Sequence, residues 1–495
     1  MSWTRGDFLR IAGGGALLAL ALPGCASDRA VRADAPSVRS GRSMAFRSRP
    51  DLKPPPVKVT KPGRGTSPGY LFAAAKNGPG EDYSAQDGPM ILDGEGNLLW
   101  FRPVEGEERD AMDFKVQTYG GRPVLTWWEG EHVGYGRGEY VVFDQGYQEI
   151  ARLRAGNGYE GDHHEFLITP RDTALITIYH ETPSDLSAAG GAEEDVVVDG
   201  IAQELDVATG EVIFEWHSLD HVDVAESYYE LTPDLEAPYD YFHINSIEED
   251  GEDHFLISAR RTSTVYKVDR ASGEIVWRLG GKRSDFALGE GARFAFQHDA
   301  RRQPDGTITL FDNKGEAMNE PSRGIRLRLD EEAMTANLVA EYTVPEDPFA
   351  TYQANVQDLP NGNVFVGWGS APFLSEHDRD GGLLFEARFP DEVESYRAFR
   401  FPWRGDPSGR PDLALEAGAD DRVTLYASWN GATEVASWEV LAGPEPGNLE
   451  PAGNAPRRGF DTAITVRDGG PFFAVRAKDR SGRELGTSRA LRPGD

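Results

Sequence analysis

Three histidines occupy equivalent positions in consecutive repeats of this chain. His164, His243 and His298 each open a segment that reaches a corresponding strand-turn position seven residues later. Equal register in a repeat protein means equal position in space, so we expect each histidine to project from its own repeat toward a common axis. The chain has only ten histidines. Three of them meeting at one point would form a functional cluster.

Other polar residues of the same repeats predict the chemistry of that cluster. With a period of two along a strand, Asn245 shares the face of His243, and the next strand brings Arg260 and Arg261 toward the same region. We find no carboxylate in register with these groups. Imidazole, amide and guanidinium groups aimed at one point suit an anion, because arginine binds tetrahedral oxyanions through paired hydrogen bonds. A neutral imidazole can donate, accept or attack.

The elements that must position these residues are strands. Short runs of Val, Ile, Leu, Phe and Tyr alternate with Gly, Asp, Asn and Pro, which is the pattern of an all-β chain. An Asp-centred turn before an outer strand recurs at spacings of roughly 50–60 residues, close to the period of propeller blades. Its aspartates are Asp93, Asp144, Asp206, Asp269, Asp330 and Asp378.

These markers predict a six-bladed β-propeller over residues 64–404, with seven blades as the alternative count. Stacking small antiparallel sheets around an axis buries the faces that each sheet cannot bury alone. Residues 405–495 carry alternating strands without the blade markers. Their number and spacing suit a small β-sandwich of fibronectin type III or immunoglobulin style. We expect no catalytic cluster in that sandwich.

The first 25 residues are typical of an export signal. An apolar stretch over residues 11–22 is too short for a stable membrane span and runs into Leu22-Pro23-Gly24-Cys25, which resembles a bacterial lipoprotein signal. Cys25 is the only cysteine, so no internal disulfide is expected. We expect an exported protein, lipid-anchored through Cys25 at the cell surface or in the periplasm, with a disordered linker over residues 26–63.

The overall charge excludes some partners. A formal net charge of −31 argues against nucleic acid and anionic membrane surfaces, since neither tolerates a strongly acidic surface. The only membrane contact that we expect is the lipid anchor. An anionic substrate would need a local group of Arg and His residues to overcome this repulsive background.

Five segments carry a family resemblance. They read Phe242-His-Ile-Asn-Ser-Ile, Ser258-Ala-Arg-Arg-Thr-Ser, Gly273-Glu-Ile-Val-Trp-Arg-Leu-Gly-Gly, Phe296-Gln-His-Asp-Ala-Arg and Thr309-Leu-Phe-Asp-Asn. Together they resemble the bacterial and fungal arylsulfotransferases, which transfer sulfuryl groups between aryl sulfates and phenols without the nucleotide donor. The resemblance extends over residues 69–402. It implies an aryl sulfate donor and a phenolic acceptor as partners, and we expect no cofactor and no metal.

The resemblance also implies a role for each residue of the cluster. His298, in the Gln-His block, matches the family's nucleophile, which would attack the sulfur and form a sulfohistidine that an acceptor phenol then attacks. His243, Asn245 and Arg260 match groups that hold the sulfuryl oxygens. A further family histidine matches His164, with the neighbouring His163 as the alternative. We expect His164 to exchange a proton with the phenols.

Three more residues are expected near the substrate. Arg261 is the alternative match for the family arginine. Phe242 and Phe296 are expected to wall the aryl group, with packing inside a blade as the other interpretation for both.

Three alternatives remain open from the sequence. Three neutral imidazoles are a familiar zinc-binding set and would suit a His-liganded metal enzyme, although the neighbouring arginines would repel a divalent cation. A non-catalytic propeller at the cell surface that binds ligands or partners is a second possibility. The third is that the histidines are structural residues, hydrogen-bonded inside the propeller.

Overall fold

The computed structural model of the protein describes residues 43–81, 83–106, 109–231, 238–314, 320–419, 421–467 and 470–494. Within these ranges the chain is almost entirely β-structure, which confirms the all-β prediction. Its helical segments are single short turns, α1 (Ser218–His221) and two 3₁₀ turns at Ser187–Ala189 and Val224–Glu226. None of these described turns has the length or apolar composition that a membrane crossing requires. The predicted export signal and Cys25 lie outside the described residues.

The strands divide into two groups along the chain. The first group comprises β1 (Lys58–Lys61), β2 (Tyr70–Asn77), β3 (Gly88–Leu92), β4 (Leu98–Phe101), β5 (Arg109–Tyr119), β6 (Arg122–Val133), β7 (Tyr135–Phe143), β8 (Glu149–Leu153), β9 (Asp162–Ile168), β10 (Thr173–Ser184), β11 (Asp195–Asp206), β12 (Val212–His217), β13 (Ile244–Glu249), β14 (His254–Ala259), β15 (Thr264–Asp269), β16 (Ile275–Gly280), β17 (Ala287–Leu288), β18 (His298–Arg302), β19 (Thr307–Asp312), β20 (Arg323–Asp330), β21 (Thr335–Tyr342), β22 (Asn355–Asp358), β23 (Val364–Gly367), β24 (Phe373–His377), β25 (Leu383–Arg388) and β26 (Val393–Phe401). The second group comprises β27 (Asp412–Ala417), β28 (Arg422–Ser428), β29 (Ser437–Glu445), β30 (Asn448–Pro456), β31 (Thr462–Arg467), β32 (Phe472–Lys478) and β33 (Glu484–Thr487).

The first group forms six sheets of four or five strands among the described residues. Their strand orders are β26-β2-β3-β4, β5-β6-β7-β8, β9-β10-β11-β12, β13-β14-β15-β16, β18-β19-β20-β21-β17 and β22-β23-β24-β25-β1. The strands that begin these orders contact one another in a closed series, from β26 through β5, β9, β13, β18 and β22 back to β26. We call these six the inner strands. The arrangement is propeller-like, because the sheets follow one another around the axis that the inner strands line.

Each Asp-centred turn leads into the fourth strand of its sheet, counted from the inner strand, and in the two five-stranded sheets β17 and β1 lie outside that strand. In each turn one carboxylate oxygen accepts hydrogen bonds from two backbone N–H groups, which fixes a tight turn in place of an open loop. These aspartates are Asp93, Asp144, Asp206, Asp269, Asp330 and Asp378.

Both ends of the first group are joined to the closed series. β26, the last strand of the group, pairs antiparallel with β2, and β1 pairs antiparallel with β25. The first and last sheets therefore each contain strands from opposite ends of this segment. Such pairing leaves short edges and holds the series closed.

The prediction of a disordered linker over residues 26–63 is wrong for its described part, residues 43–63. β1 lies in this segment, and Leu52 and Val57 are buried at 1% and 9% exposure in the same hydrophobic core as Phe385. The Arg, Ser and Pro content of this segment predicts a tether, and Leu52 and Val57 are too few to change that prediction. The extended, proline-rich chain leads into β1, which pairs with the edge strand β25. Residues 26–42 lie outside the described residues.

The second group forms two further sheets, β27-β28-β31 and β30-β29-β32-β33, within residues 412–487. Trp438, Val440 and Val475 are among the buried residues of their common core. The connection to the first sheet runs through Asn430, whose side chain both accepts from the Phe101 N–H at 3.0 Å and donates to the Phe101 carbonyl at 2.9 Å. The side chain thus pairs with the free edge of β4 as a strand would.

A cluster of buried charges ties the inner strands together. Its members are Asp113, Lys115, Glu165, Glu248, Asp299, Arg301 and Arg397, which we call the buried charge cluster. Arg397 on β26 is fully buried and lies 3.0 Å from Asp113 on β5, 3.1 Å from Glu165 on β9 and 3.4 Å from Asp299 on β18. It also donates to the Asn245 carbonyl on β13 at 3.0 Å. Because Asp299 accepts from a backbone N–H of β22, the cluster reaches all six inner strands.

Glu248 has an unusual protonation state within this cluster. Burial raises the pKa of its carboxyl to about 8, with nearby Arg301 opposing the shift. Near neutral pH the carboxyl is therefore mainly protonated. The cluster then holds as many positive as negative charges, so little uncompensated charge is buried. The cations are Lys115, Arg301 and Arg397, and the carboxylates are Asp113, Glu165 and Asp299.

Replacing Glu248 by Gln should change how stability depends on pH. The folded pKa lies above the unfolded value, so the folded state binds more protons and Glu248 lowers stability as pH rises from about 5 to 8.5. The neutral amide removes this loss. Relative to the parent protein, E248Q should therefore gain on the order of 2–4 kcal/mol across that range. Calorimetric melting at several pH values measures the gain, with Glu249→Gln as the neighbouring control. A difference between parent and E248Q that is constant with pH would contradict the assignment.

Candidate active site

Three inner strands bring the three predicted histidines together. His164 lies in β9, His298 is the first residue of β18, and His243 immediately precedes β13. The ring centroids of His164 and His243 are 5.0 Å apart, and those of His164 and His298 are 6.5 Å apart. One ring nitrogen from each histidine lies within 4.8 Å of those from the other two. We call these residues the histidine cluster.

Bulges in the inner strands decide where these side chains point. In β9 the pairing steps from Phe166↔Ile176 to Asp162↔Thr177, so residues 163–165 have no counterparts on β10. The rings of His163 and His164 consequently stack on the same side, with centroids 4.0 Å apart. Strict alternation, which would send neighbouring residues to opposite faces, is wrong here because a bulge adds unpaired residues to one strand.

Two carboxylates that the sequence analysis misses belong to the site. His164 Nδ1 lies 2.5 Å from Asp162 Oδ1, and His243 Nδ1 lies 2.5 Å from Asp240 Oδ2. The expectation of no carboxylate in register is therefore wrong. Both aspartates lie two or three residues before their histidine. That spacing is the signal that could have revealed them.

The pKa values of these pairs follow from burial and from each other. Burial alone would raise the pKa of Asp240, but His243 and Arg261 bring it down to about 2. Burial would likewise raise the pKa of Asp162, but His164 and His163 hold it well below the usual range. Burial lowers the pKa of both His164 and His243, only partly offset by the carboxylates. Both rings are therefore neutral at neutral pH, beside ionised carboxylates.

His298 differs because its partner is an amide. Its Nδ1 lies 2.8 Å from Asn313 Oδ1. The Asn313 Nδ2 group donates to the Ala350 carbonyl at 2.7 Å and to the Gln353 carbonyl at 3.0 Å, so the amide orientation is fixed with the oxygen toward His298. His298 Nδ1 must then carry the hydrogen, and Nε2 keeps its lone pair, which accepts from the Gln353 N–H at 3.2 Å. Burial and the Arg260 charge hold the pKa of His298 well below its usual value.

The segment that contacts His298 is held in an unusual backbone conformation. Gln353 and Ala354 have φ angles of 67° and 94°, which side-chain-bearing residues seldom adopt. Glu394 anchors this segment by accepting from Tyr352 Oη at 3.3 Å and from Gln353 Nε2 at 3.1 Å. Glu394 is in turn paired with the buried Lys76 at 2.5 Å. The ion pair between Lys76 and Glu394 thus helps to hold Gln353 in its strained conformation.

Arg260 lies beside the histidine cluster and makes few hydrogen bonds to the described residues. One Nη2 hydrogen is donated to the Thr351 carbonyl at 3.0 Å, and the guanidinium lies 5.2 Å from the centroid of the Phe296 ring. The Nε atom is buried and has no hydrogen-bond partner among the described residues. Burial lowers the pKa of Arg260 to about 10, so it stays cationic at neutral pH. Free donors on a partly buried cation suit an anion.

The remaining predicted residues are placed as follows. Arg261 lies 3.4 Å from Asp240, the carboxylate partner of His243, and stacks on the Tyr229 ring at 3.6 Å. Asn245 is buried, and its Nδ2 donates to the Gln297 carbonyl at 2.6 Å, next to His298. Phe296 adjoins Arg260. Phe242 instead packs against Trp216 and Tyr266 in a blade core, which favours its packing role over substrate binding.

Two tyrosines complete the walls of the site and were not singled out from sequence. The Tyr179 ring stacks on His164 with centroids 5.2 Å apart, and its hydroxyl donates to the Ile244 carbonyl at 2.6 Å. Tyr396 stands perpendicular to the His164 ring and donates to the His164 carbonyl at 3.0 Å. Both aromatic faces border the histidine cluster, and both lie on strands whose hydrophobic pattern alone predicts core positions.

The geometry favours an anion over a metal ion. The three imidazole nitrogens are close enough to share a cation, and histidines with hydrogen-bonded Nδ1 atoms resemble metal-binding ones. However, the positive Arg260 side chain lies near His298 and lowers the pKa of that ring. A divalent ion would face this positive charge at close range. The Arg260 guanidinium therefore favours an oxyanion at this point of the site.

Three solved structures that resemble this chain are distant from it in sequence. A protein of unknown function from Bacteroides caccae has a TM-score of 0.40 and 13% identity, covering 67% of this chain and 98% of the other. A streptogramin B lyase has a TM-score of 0.35 and 11% identity, covering 75% and 94%. The Dos1 propeller has a TM-score of 0.30 and 13% identity, covering 75% and 84%. These scores are too low to support an inference. A search of curated proteins finds no matching relative.

A family model described as arylsulfotransferase (ASST) matches residues 115–390, more than half of the chain. The matched segment contains the whole histidine cluster and Arg260. It also contains the three residues that hydrogen-bond the Nδ1 atoms, Asp162, Asp240 and Asn313. The chain therefore belongs to the arylsulfotransferase family.

Proposed function

We propose that the protein moves a sulfuryl group from a phenolic sulfate ester to an acceptor phenol through a sulfohistidine at His298. Family membership supports aryl sulfotransferase activity in general. The observation that carries the proposal is the fixed tautomer of His298: Asn313 holds the hydrogen on Nδ1 and leaves a lone pair on Nε2. A low pKa keeps that lone pair unprotonated.

In the first step, Nε2 of His298 attacks the ester sulfur and the bond from sulfur to the aryl oxygen breaks. The leaving oxygen takes a proton from the imidazolium form of His164, so a neutral phenol departs. The sulfohistidine retains its Nδ1 hydrogen, which stays donated to Asn313. The Gln353 N–H, freed from Nε2 as the new bond forms, is positioned to donate to a sulfuryl oxygen.

In the second step, an acceptor phenol attacks the sulfur of the sulfohistidine. Neutral His164 takes the phenol proton as the new oxygen–sulfur bond forms and the nitrogen–sulfur bond breaks. His298 regains its lone pair. We assign Arg260, His243 and Asn245 to the surroundings of the sulfuryl group in both steps, where charge spreads over three oxygens in a loose transition state.

Substituting His298 by Asn should abolish covalent sulfuryl transfer. With sulfur-labelled 4-nitrophenyl sulfate and no acceptor, the parent protein should retain label and H298N should retain none. Turnover in the presence of phenol should fall by roughly 10³-fold or more, because an asparagine side chain offers no nucleophilic lone pair at this position. The matched control is His377→Asn, which removes a buried histidine of β24.

The same assay separates the competing functions. Nitrophenol release that phenol stimulates supports the transferase. Release that does not depend on phenol supports a sulfatase, and no release supports a non-catalytic binding protein. Label that persists in H298N would overturn the assignment of the nucleophile.

Substituting Asn313 by Ala should slow the chemical step while His298 remains in place. Without the amide oxygen nothing holds the hydrogen on Nδ1, and the ring can turn or change tautomer. We expect kcat to fall by roughly 10²-fold with a smaller change in KM. Asn355→Ala is the matched control, because Asn355 is also a buried asparagine that bridges inner strands. Equal losses in both variants would show that Asn313 acts through stability alone.

We further propose that the six sheets of residues 58–401 are the blades of a six-bladed β-propeller, and that the two C-terminal sheets form a β-sandwich of fibronectin type III or immunoglobulin style. The closed series of inner-strand contacts and the six Asp-centred turns support the blade count. The shared core of the two C-terminal sheets supports the sandwich.

We propose, from the sequence, that the protein is exported and lipid-anchored at Cys25. Replacing Cys25 by Ala should leave the protein without a lipid. Detergent partitioning of the expressed protein measures this: the parent should enter the detergent phase and C25A the aqueous phase. Equal partitioning of the two would contradict the anchor.

A further inference from the structure

The hydrogen-bond partners of His164 and His243 restrict which ring nitrogen carries a hydrogen. Asp162 and Asp240 are ionised carboxylates at neutral pH, and an ionised carboxylate only accepts hydrogen bonds. Each lies 2.5 Å from the Nδ1 atom of its histidine. Nδ1 therefore carries the hydrogen in both rings. In the neutral ring, Nε2 then presents a lone pair and has nothing to donate.

This arrangement is unfavourable for a sulfuryl group unless a proton is added. Sulfuryl oxygens are acceptors only, so a neutral His164 or His243 would direct a lone pair at them. Protonating Nε2 converts the ring to a donor, and the carboxylate behind it stabilises the resulting imidazolium. An anion in the site therefore raises the affinity of this pair of rings for a proton.

The surrounding charges indicate that His164 and His243 together take up one proton when an anion binds. Two carboxylates, Asp162 and Asp240, are balanced by two guanidinium groups, Arg260 and Arg261. The other titratable groups packed against the two rings are His163, His298, Tyr179 and Tyr396, all neutral at neutral pH because burial disfavours their charged forms. Arg397 belongs to the buried charge cluster, and Lys76 is paired with Glu394. A bound sulfate ester adds one negative charge, which one proton compensates.

We infer that the site takes up one proton together with each sulfate-ester anion, shared by His164 and His243, and that Asp162 and Asp240 are the positioning residues that require it. Two protons are disfavoured because the two rings are only 5.0 Å apart. The inference rests on the proposed function for the identity of the anion. It also explains where His164 obtains the proton that the leaving phenol removes.

Proton uptake can be measured on the full chain without turnover. The probe is 4-nitrobenzenesulfonate, an aryl monoanion that has no ester oxygen to release. Calorimetric titration at pH 7.5, in buffers of different ionisation enthalpy that lack sulfonate and phosphate groups, gives the protons bound per anion. We expect a value near one. Between pH 7 and 9 the Kd should rise about tenfold per pH unit.

Two substitutions test the positioning residues. An asparagine amide can donate to Nδ1, which permits the neutral tautomer with its hydrogen on Nε2. In the Asp162→Asn, Asp240→Asn double variant, anion binding should therefore need no proton, and the pH dependence of Kd should be lost. The matched control is Asp199→Asn, which alters another Asp–His pair, 2.7 Å apart on β11 and β12. This control should keep the pH dependence of Kd seen in the parent protein. If Asp162 and Asp240 had a purely structural role, the double variant would keep that pH dependence too.

Three results would overturn the inference: no binding of the sulfonate at millimolar concentration, proton uptake near zero in the parent, or an unchanged slope in the double variant. Failure of the proposed function looks different. A protein that takes up one proton with the sulfonate but transfers no sulfuryl group would keep this inference and lose the enzyme assignment.

Discussion

The structure depends on a set of charges that are buried or nearly so. Arg397 lies on the last inner strand and forms ion pairs with carboxylates on three others. Removing one partner from such a buried pair typically destabilises a protein by about 3–5 kcal/mol, since the remaining charge is left uncompensated. Strands that meet at these pairs have little freedom to slide. The neighbouring residue, Tyr396, hydrogen-bonds the backbone of His164, so the same strand that closes the charge cluster also supports the histidine cluster.

The proposed mechanism gives one residue type two roles, because its hydrogen-bond partners differ. The Nδ1 atom of His298 hydrogen-bonds to an amide, which leaves the lone pair on Nε2 but does not stabilise a positively charged ring. The Nδ1 atoms of His164 and His243 hydrogen-bond to carboxylates, which do stabilise a positively charged ring. An amide partner therefore suits a nucleophile that must stay unprotonated, and a carboxylate partner suits a group that gains and loses a proton. His164 and His298 are buried and His243 is largely so, which means that in the proposed mechanism these partners, rather than water, determine which atoms react.

The sequence predicted much of this arrangement and missed the rest for identifiable reasons. Equal register of the histidines correctly brought three distant residues together, because each sheet repeats the same path from inner to outer strand. The Asp-centred turns were equally visible. Alternation failed at β9, where a bulge moved His163 to the side of His164. The partners Asp162, Asp240 and Asn313 were missed because a hydrogen bond to a ring nitrogen depends on local backbone shape, which a bulge changes. Residues 43–63 looked like a tether because two apolar anchors are diluted by polar neighbours.

The placement of β26 has a consequence for how the protein matures. This strand is the last of its group to be synthesised, yet it pairs with β2, near the start, and delivers Arg397 to the axis. Until it docks, Asp113 and Glu165 lack a main counter-ion, and the His164 backbone lacks its tyrosine support. A nascent chain that stops short of residue 393 thus leaves Asp113 and Glu165 with Lys115 and Arg301 as their remaining counter-ions, and the series of inner strands stays open. Closure of the series waits until the end of this segment has been made.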